Sequence, residues 1–275
     1  LTNQQKSNPI GIFDSGIGGL TVVKKIFENL PNENIIYFGD TARVPYGSKS
    51  NQTVVEYSIQ NTKFLLKKNV KMVVVACNTA SSVALDVLRN EFNVPIIGMI
   101  EPGSKTALNN TKNNHIGVIG TNATINNKAY SHRLKKLNNK IKVYESACPL
   151  FVPLAEEGWT NHKAAQLIAN EYLKKFKEHE IDTLILGCTH YPILNDIIQK
   201  SVGKKVKLID SGTSAAIEVN NLLEALDLRN DSKRKGNHQF YVSDVPRKFQ
   251  EVAERFLGKK ISHIEKIDLE ELIKS

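Results

Sequence analysis

Cysteine is scarce in this chain of 275 residues: three in all, an odd number, with no C-x-x-C pair. Disulfide-stapled secreted domains carry even, closely spaced sets, so a disulfide framework is excluded. Zinc-binding spacings are also missing, since there is no H-E-x-x-H and the seven histidines are scattered. No metal is expected. No apolar stretch approaches the roughly 20 residues that cross a bilayer, and the polar start, Leu1 to Asn8, lacks the apolar core of a signal peptide. No membrane association and a cytoplasmic location are therefore expected. The one near match to a dinucleotide fingerprint fails, because the third glycine after Gly16 and Gly18 is replaced by Thr21. Acidic residues are outnumbered, 28 against 37 basic, giving a net charge of +9. The lysines fall mostly in pairs (Lys24-Lys25, Lys67-Lys68, Lys135-Lys136), with the densest cluster at Lys233-Arg234-Lys235. No aromatic-interleaved basic strip accompanies them, so solvated helix faces explain the charge and nucleic acid is not an expected partner. Such a surface would still attract anionic small molecules.

What is present is an ordinary globular composition, 41% hydrophobic and 24% charged, in which short apolar runs alternate with helical-period segments. Strands are expected at 10–13, 34–38, 70–76, 95–99, 115–120, 141–145, 183–186, 206–209, 238–242 and 261–267. Helices are expected at 20–29, 51–68, 81–93, from 99 to about 109, then at 126–137, 161–179, 193–201, 214–226 and 246–257. This alternation predicts an α/β fold of mostly parallel sheets flanked by helices. A two-fold echo runs through it: Ile12-Phe13-Asp14-Ser15-Gly16 matches Leu208-Ile209-Asp210-Ser211-Gly212, and Cys77-Asn78-Thr79 matches Cys188-Thr189-His190. Either similar strand-to-helix turns recur because Asp, Ser and Thr cap helices well, or two similar domains are present. In the second case the chain crosses over near Glu101-Pro102-Gly103 and near Asp210–Thr213. One domain would comprise 1–100 plus 211–275 and the other 101–210.

Both Cys77 and Cys188 stand at the exit of an apolar run, where α/β proteins bind ligands. A lone cysteine is more often a small buried hydrophobe, and Cys148 fits that description. Cys77 and Cys188 differ because Asn78, Thr79, Thr189 and His190 surround them with polar groups. Two thiols brought to one crevice would serve as an acid–base pair, one taking a proton from carbon and the other supplying one. Only the thiolate is a useful base, and a free thiol near pKa 8.5 needs help; His190 is placed to help Cys188 and Asp14 to relay protons near Cys77. The glycine-rich turn after Asp14 exposes N–H groups that suit an anion or simply begin a capped helix. Val44-Pro45-Tyr46-Gly47 is a substrate-contacting loop or a rigid turn, and Gly120-Thr121-Asn122-Ala123-Thr124 a carboxylate site or a cap.

Taken together, Phe13–Gly19, Gly39-Asp40-Thr41 through Pro45-Tyr46-Gly47, Ala76–Ser81 and Gly187–Pro192 resemble the glutamate racemases. So do Cys148-Pro149-Leu150 with Glu156-Glu157-Gly158, and Phe240–Asp244. The resemblance runs in order from about 9 to 268. It implies interconversion of L-glutamate and D-glutamate without a cofactor, D-glutamate being supplied to peptidoglycan synthesis. It implies two α/β domains around a buried cleft holding the active site, and a homodimer. Cys77 and Cys188 would then be acid/base thiols on opposite faces of the substrate Cα, assisted by Asp14 and His190. Ser15, Pro45, Tyr46, Gly47, Asn78, Thr79, Thr121, Thr124 and Thr189 would hold the amino and carboxylate groups, and Glu156 matches a further acidic position. Ala155 departs from the family pattern, which has a larger aliphatic residue there, and should affect packing only.

The chemistry is consistent with that resemblance. A Cα proton is very weakly acidic, so a carbanion needs preorganised donors in a closed site, and a single base would return the proton to the face it left. Three other readings compete: an aspartate racemase, a thiol redox or ligand-binding protein with a reversible Cys77–Cys188 disulfide, and a basic DNA-associated protein. Assays on both amino acids, thiol titration after mild oxidation, and salt-sensitive duplex binding separate them.

Overall fold

A computed structural model of the chain describes residues 3–245, 249–261 and 263–268. In chain order its elements are α1 (Asn3–Ser7), β1 (Ile10–Asp14), α2 (Leu20–Asn29), β2 (Ile35–Gly39), α3 (Asn51–Lys67), β3 (Met72–Val75), α4 (Asn78–Val83), α5 (Leu85–Glu91), β4 (Ile96–Gly98) and α6 (Ile100–Asn110). There follow β5 (His115–Gly120), α7 (Asn122–Asn126), α8 (Ala129–Leu137), β6 (Lys142–Ala147), α9 (Phe151–Glu156), α10 (Lys163–Glu178), β7 (Thr183–Gly187), α11 (Asn195–Val202) and β8 (Lys207–Asp210). The chain closes with α12 (Ser211–Ala225), β9 (His238–Val242), α13 (Phe249–Leu257) and β10 (Glu265–Lys266).

Among the described residues the strands form two sheets, in the orders β10-β9-β2-β1-β3-β4 and β6-β5-β7-β8, with every pairing parallel. The central strands β1, β3 and β7 are buried throughout. That is why they read as continuous apolar runs rather than alternating ones: helices cover both faces of a parallel sheet. Strands 10–98 and 238–266 build the first sheet and 115–210 the second. The first crossover is helical: Glu101, Pro102 and Gly103 lie in the first turn of α6, where proline is tolerated because its N–H has no intrahelical partner. Apolar side chains behind both sheets form one continuous cluster, from Ile10, Met72 and Val74 through Ala215 and Val219 to Leu184 and Leu186.

The order β2-β1-β3-β4 repeats as β6-β5-β7-β8, so β3 and β7 are topological equivalents, and Cys77 and Cys188 follow equivalent strands. The other echo has a different origin. Asp14 ends β1, whose counterpart is β5, whereas Asp210 ends β8. What the two aspartates share is local: each carboxylate accepts the N–H of the glycine two residues on, at 3.1 Å for Gly16 and 2.8 Å for Gly212.

Element boundaries shift where side chains compete for backbone groups. The helix expected at 81–93 starts at Asn78, where Cys77 Sγ caps it, and breaks at Ala84. There Ser82 Oγ donates to Thr79 O at 2.7 Å, competing with the helical ladder. The helix expected at 126–137 starts earlier, at Thr121's cap, and is interrupted at Lys128, whose φ is 51°. His162 delays α10 to Lys163 by accepting the Ala164 N–H at 3.2 Å. Helices α1 and α9 are not anticipated by the sequence: the first is polar and short, and the second is shadowed by Pro149 and Pro153. The last strand is only Glu265–Lys266. The expected residues 246–248 of the α13 segment, and Ser262 of that strand, lie outside the described residues. Among the described residues no helix is long and apolar enough to cross a membrane.

The return of the chain to the first sheet is pinned by a buried ion pair. Lys71 Nζ, at the entry to β3, lies 2.5 Å from Glu33 Oε2 and 2.8 Å from Leu228 O, and Glu33 Oε1 accepts the Asn230 N–H at 2.8 Å. Removing one partner of such a pair strands a buried charge, at a cost of about 3–5 kcal/mol. Glu33→Gln is therefore expected to lower the unfolding free energy by that amount, read as a lower urea midpoint with an unchanged m value; a midpoint equal to wild type would contradict this account.

Candidate functional site

In an α/β sheet of order 2-1-3-4 the crossovers reverse direction between the first and third strands, leaving a crevice at their carboxyl ends. Both sheets present that switch point to the same place: Asp14, Ser15 and Cys77 leave β1 and β3, and Thr121 and Cys188 leave β5 and β7. Between them is a cavity of about 210 Å³, smaller than the roughly 300–1,000 Å³ of clefts that take drug-sized ligands. Ser15, Pro45, Tyr46, Gly47, Cys77, Asn78, Thr79, Thr121, Cys188, Thr189 and His190 line it. A wider cleft of about 370 Å³ beside Arg89, His132 and Arg133 contains no thiol.

Close approach of the two halves depends on a missing side chain. A Cβ at Gly18 would stand 2.3 Å from Thr189 Oγ1 and 2.5 Å from the His190 ring, so only glycine lets the β1–α2 turn reach the Cys188 turn. The contact is held by Thr21 Oγ1, which donates to Thr189 O at 2.8 Å. On the other side, the hydroxyls of Thr79 and Thr121 meet at 2.9 Å, and Thr124 Oγ1 lies 3.3 Å and 3.1 Å from them.

The two sulfurs have unlike surroundings. Cys77 Sγ accepts the Ala80 N–H at 3.5 Å and donates to Ser15 Oγ at 3.6 Å. Burial pushes this thiol up to about 12, and the neighbouring Asp14 carboxylate adds to the rise. Asp14 is fully buried behind the cavity wall, with Oδ2 accepting from Gly16 and Gly19 and Oδ1 left without a partner. Burial raises the Asp14 carboxyl against the opposing pull of His190 and the surrounding N–H groups. Cys188 Sγ instead lies 3.8 Å from His190 Nδ1, and His190 Nε2 is 2.9 Å from Glu156 Oε1. Burial disfavours an imidazolium there, but the hydrogen bonds to Cys188 and Glu156 outweigh it and raise His190 to about 10. Cys148 is buried in the core cluster.

Three of the anticipated residues stand back from the cavity wall. Asp14 lies behind it, Thr124 acts through Thr79 and Thr121, and Glu156 opens onto an adjoining cavity of about 190 Å³ while touching His190. Tyr46 lines the cavity, but its hydroxyl donates to Asp40 Oδ2 and accepts from Asn61 Nδ2 at 3.0 Å. Val44, Pro149, Val152 and Pro153 add apolar wall; the first two belong to motifs named from the sequence, whereas the sequence reading did not single out Val152 and Pro153. Two further residues escaped it altogether. Phe256 sets its ring edge-on to His190 at 5.3 Å, and Arg255 Nη1 donates to Glu156 O at 2.9 Å. Nothing local in the sequence marks them, because both act across more than sixty positions of chain. Among the described residues no group of three or more His, Cys, Asp or Glu is arranged to hold a metal ion.

Because the His190 pKa is raised above its unfolded value, its charged form stabilises the fold fully below about pH 6.5. That contribution is lost as pH rises through about 10. The unfolding free-energy gap between wild type and His190→Asn is expected to be largest near or below pH ~6.5 and to shrink toward alkaline pH. Denaturant titrations across that range read it, and a gap that is flat or grows with pH would contradict the assignment.

A family model described as Asp/Glu/Hydantoin racemase matches residues 10–219. A glutamate racemase of Geobacter metallireducens is 49% identical over 95% of this chain and 97% of its own length. A crystal structure of glutamate racemase from Francisella tularensis in complex with D-glutamate aligns with a TM-score of 0.91 at 43% identity, covering 97% of this chain and 99% of that one. The glutamate racemase isoform RacE1 of Bacillus anthracis aligns at 0.92 and 38% identity, covering 96% and 98%. With a continuous family match and full-length likeness in both sequence and fold, the chain belongs to the glutamate racemases of the Asp/Glu/Hydantoin racemase family.

Proposed function

We propose that this glutamate racemase works by a two-base mechanism without a cofactor, with Cys188 and Cys77 addressing opposite faces of Cα. The observation that carries this reading is the placement of the two sulfurs on the wall of one small cavity, at equivalent switch points of two sheets. In one direction the Cα–H bond breaks and its proton passes to a Cys188 thiolate, whose charge is matched by the His190 imidazolium. The electron pair remains on Cα and spreads into the carboxylate, and the Cys77 thiol delivers its proton to the other face. The reverse direction exchanges the roles. The high Cys77 value suits a thiol that arrives protonated, and the unpartnered Asp14 Oδ1 offers it a proton relay. Glu156 holds the imidazolium from behind.

Ser15, Asn78, Thr79, Thr121 and Thr189 supply polar groups at the wall for the amino and carboxylate ends of the substrate. Pro45, Tyr46 and Gly47 contribute the loop backbone, and Thr124 orients the other two threonines. The division into 1–100 plus 211–275 and 101–210 is part of this reading, supported by the strand membership of the two sheets. So are a homodimer, a cytoplasmic setting whose reducing conditions keep thiols free, and D-glutamate production for peptidoglycan.

Circular dichroism of L-glutamate in D₂O with no added cofactor tests the activity: loss of signal with deuterium entering Cα is expected. Well-placed acid/base groups contribute roughly 10²–10⁴-fold each, so Cys77→Ser and Cys188→Ser should each lower kcat by at least about 10²-fold. Full activity in either variant would sink the two-thiol mechanism. Sedimentation velocity reads the oligomer, with a monomer at assay concentration counting against the dimer.

A further inference from the structure

Between the two thiol-bearing turns runs a chain of buried hydrogen bonds that the mechanism above does not use. Tyr130 Oη donates to Asn78 Oδ1 at 2.7 Å, Asn78 Nδ2 donates to Ser211 Oγ at 3.3 Å, and Ser211 Oγ donates to Leu186 O at 3.1 Å. Asn78 follows Cys77 directly, and Leu186 precedes Cys188 by two residues. Tyr130 and Ser211 are each 1% exposed, Asn78 2% and Leu186 0%; of these only Asn78 reaches the cavity wall.

The direction of every bond is fixed by donor chemistry. A carbonyl only accepts, so the Ser211 hydroxyl must spend its single proton on Leu186 O and accept from Asn78. The Asn78 amide must then point Nδ2 toward Ser211 and Oδ1 toward Tyr130. Ser211 is also held rigidly. It opens α12 immediately after Asp210, whose carboxylate accepts from Gly212 N and Thr213 Oγ1 at 2.8 Å each, and α12 packs against both α2 and α6.

We infer that Ser211 is a positioning residue, a strut that sets the distance between the Cys77 and Cys188 turns, and that Tyr130 fixes the amide through which it acts. The inference rests on the two-base reading, in which both sulfurs must reach one Cα at once. A misplacement of about 1 Å in such an arrangement costs on the order of 10²-fold in rate. When the strut is removed, the nearer thiolate still takes the Cα proton but the farther thiol delivers poorly. The carbanion is then reprotonated from the face it left. In D₂O the S–H that accepted the proton exchanges with solvent, so returned substrate carries deuterium without having inverted.

The experiment is early-time mass spectrometry and chiral analysis of L-glutamate in D₂O with wild type, Ser211→Ala and Tyr130→Phe. Wild type is expected to place deuterium in D-glutamate and little in the remaining L-glutamate. In Ser211→Ala the ratio of deuterated L-glutamate to D-glutamate formed should rise at least about tenfold. Tyr130→Phe should raise it less, since it releases the amide but keeps the serine. An unchanged ratio in folded Ser211→Ala, however low its activity, would overturn the strut. Should that variant fail to fold, an unchanged ratio in Tyr130→Phe would do the same and a raised one would support it. Early deuterium in both enantiomers with wild type would instead defeat the two-base reading itself.

Discussion

Two turns, each at the carboxyl end of a different parallel sheet, must hold their sulfurs toward one small cavity, and the seam between those turns is the constraint the rest of the structure serves. The seam is polar and mostly buried. It consists of the Thr79–Thr121 contact, the Thr21 bond to Thr189 O, and the chain from Tyr130 through Asn78 and Ser211 to Leu186. Buried polar groups are costly when unpaired, so each of these bonds favours one relative placement of the sheets over neighbouring ones. Gly18 supplies the other requirement, an absence of side chain where the two halves touch. Behind the seam a continuous apolar cluster joins the sheets, and that supplies bulk adhesion without directional choice.

Equivalent positions in the two sheets do not mean equivalent chemistry. Cys77 faces a buried carboxylate and a hydroxyl, whereas Cys188 faces an imidazole backed by Glu156. The first setting keeps a proton on sulfur; the second keeps a positive charge beside it. A reaction that removes a proton on one face and returns one on the other needs one acid and one base at the outset. On the two-base mechanism proposed above, opposite electrostatics on a common scaffold meet that need. The polarity comes partly from α13, whose Phe256 and Arg255 steady His190 and Glu156 from the side of the first sheet.

The strands were legible because parallel strands covered on both faces are written as uninterrupted apolar runs, and Met72–Val75 and Thr183–Gly187 could hardly be anything else. Helix limits were less so. Ser82, Thr121 and His162 move them by hydrogen bonds whose strength against the helical ladder is not visible in a one-dimensional pattern. The Asp14 and Asp210 echo reads like domain symmetry and is a shared local turn, each carboxylate accepting the N–H two residues on, while the cysteine echo is the topological one. Sequence alone weighs the two alike, because capping and duplication leave the same short motif.

By itself the sequence determined the α/β class, the strand-end location of both thiols, and a family resemblance specific enough to carry glutamate racemisation with it. Those follow from local periodicity and from residues adjacent in the chain. Only the tertiary structure decided that Asp14 lies behind the wall rather than on it, and that the Tyr46 hydroxyl is spent on Asp40 and Asn61. The same holds for Arg255, Phe256, Tyr130 and Ser211, which act on the site from far along the chain. The reason is physical: which donor meets which acceptor across two sheets depends on distances of a few ångströms set by packing, and no local pattern encodes them.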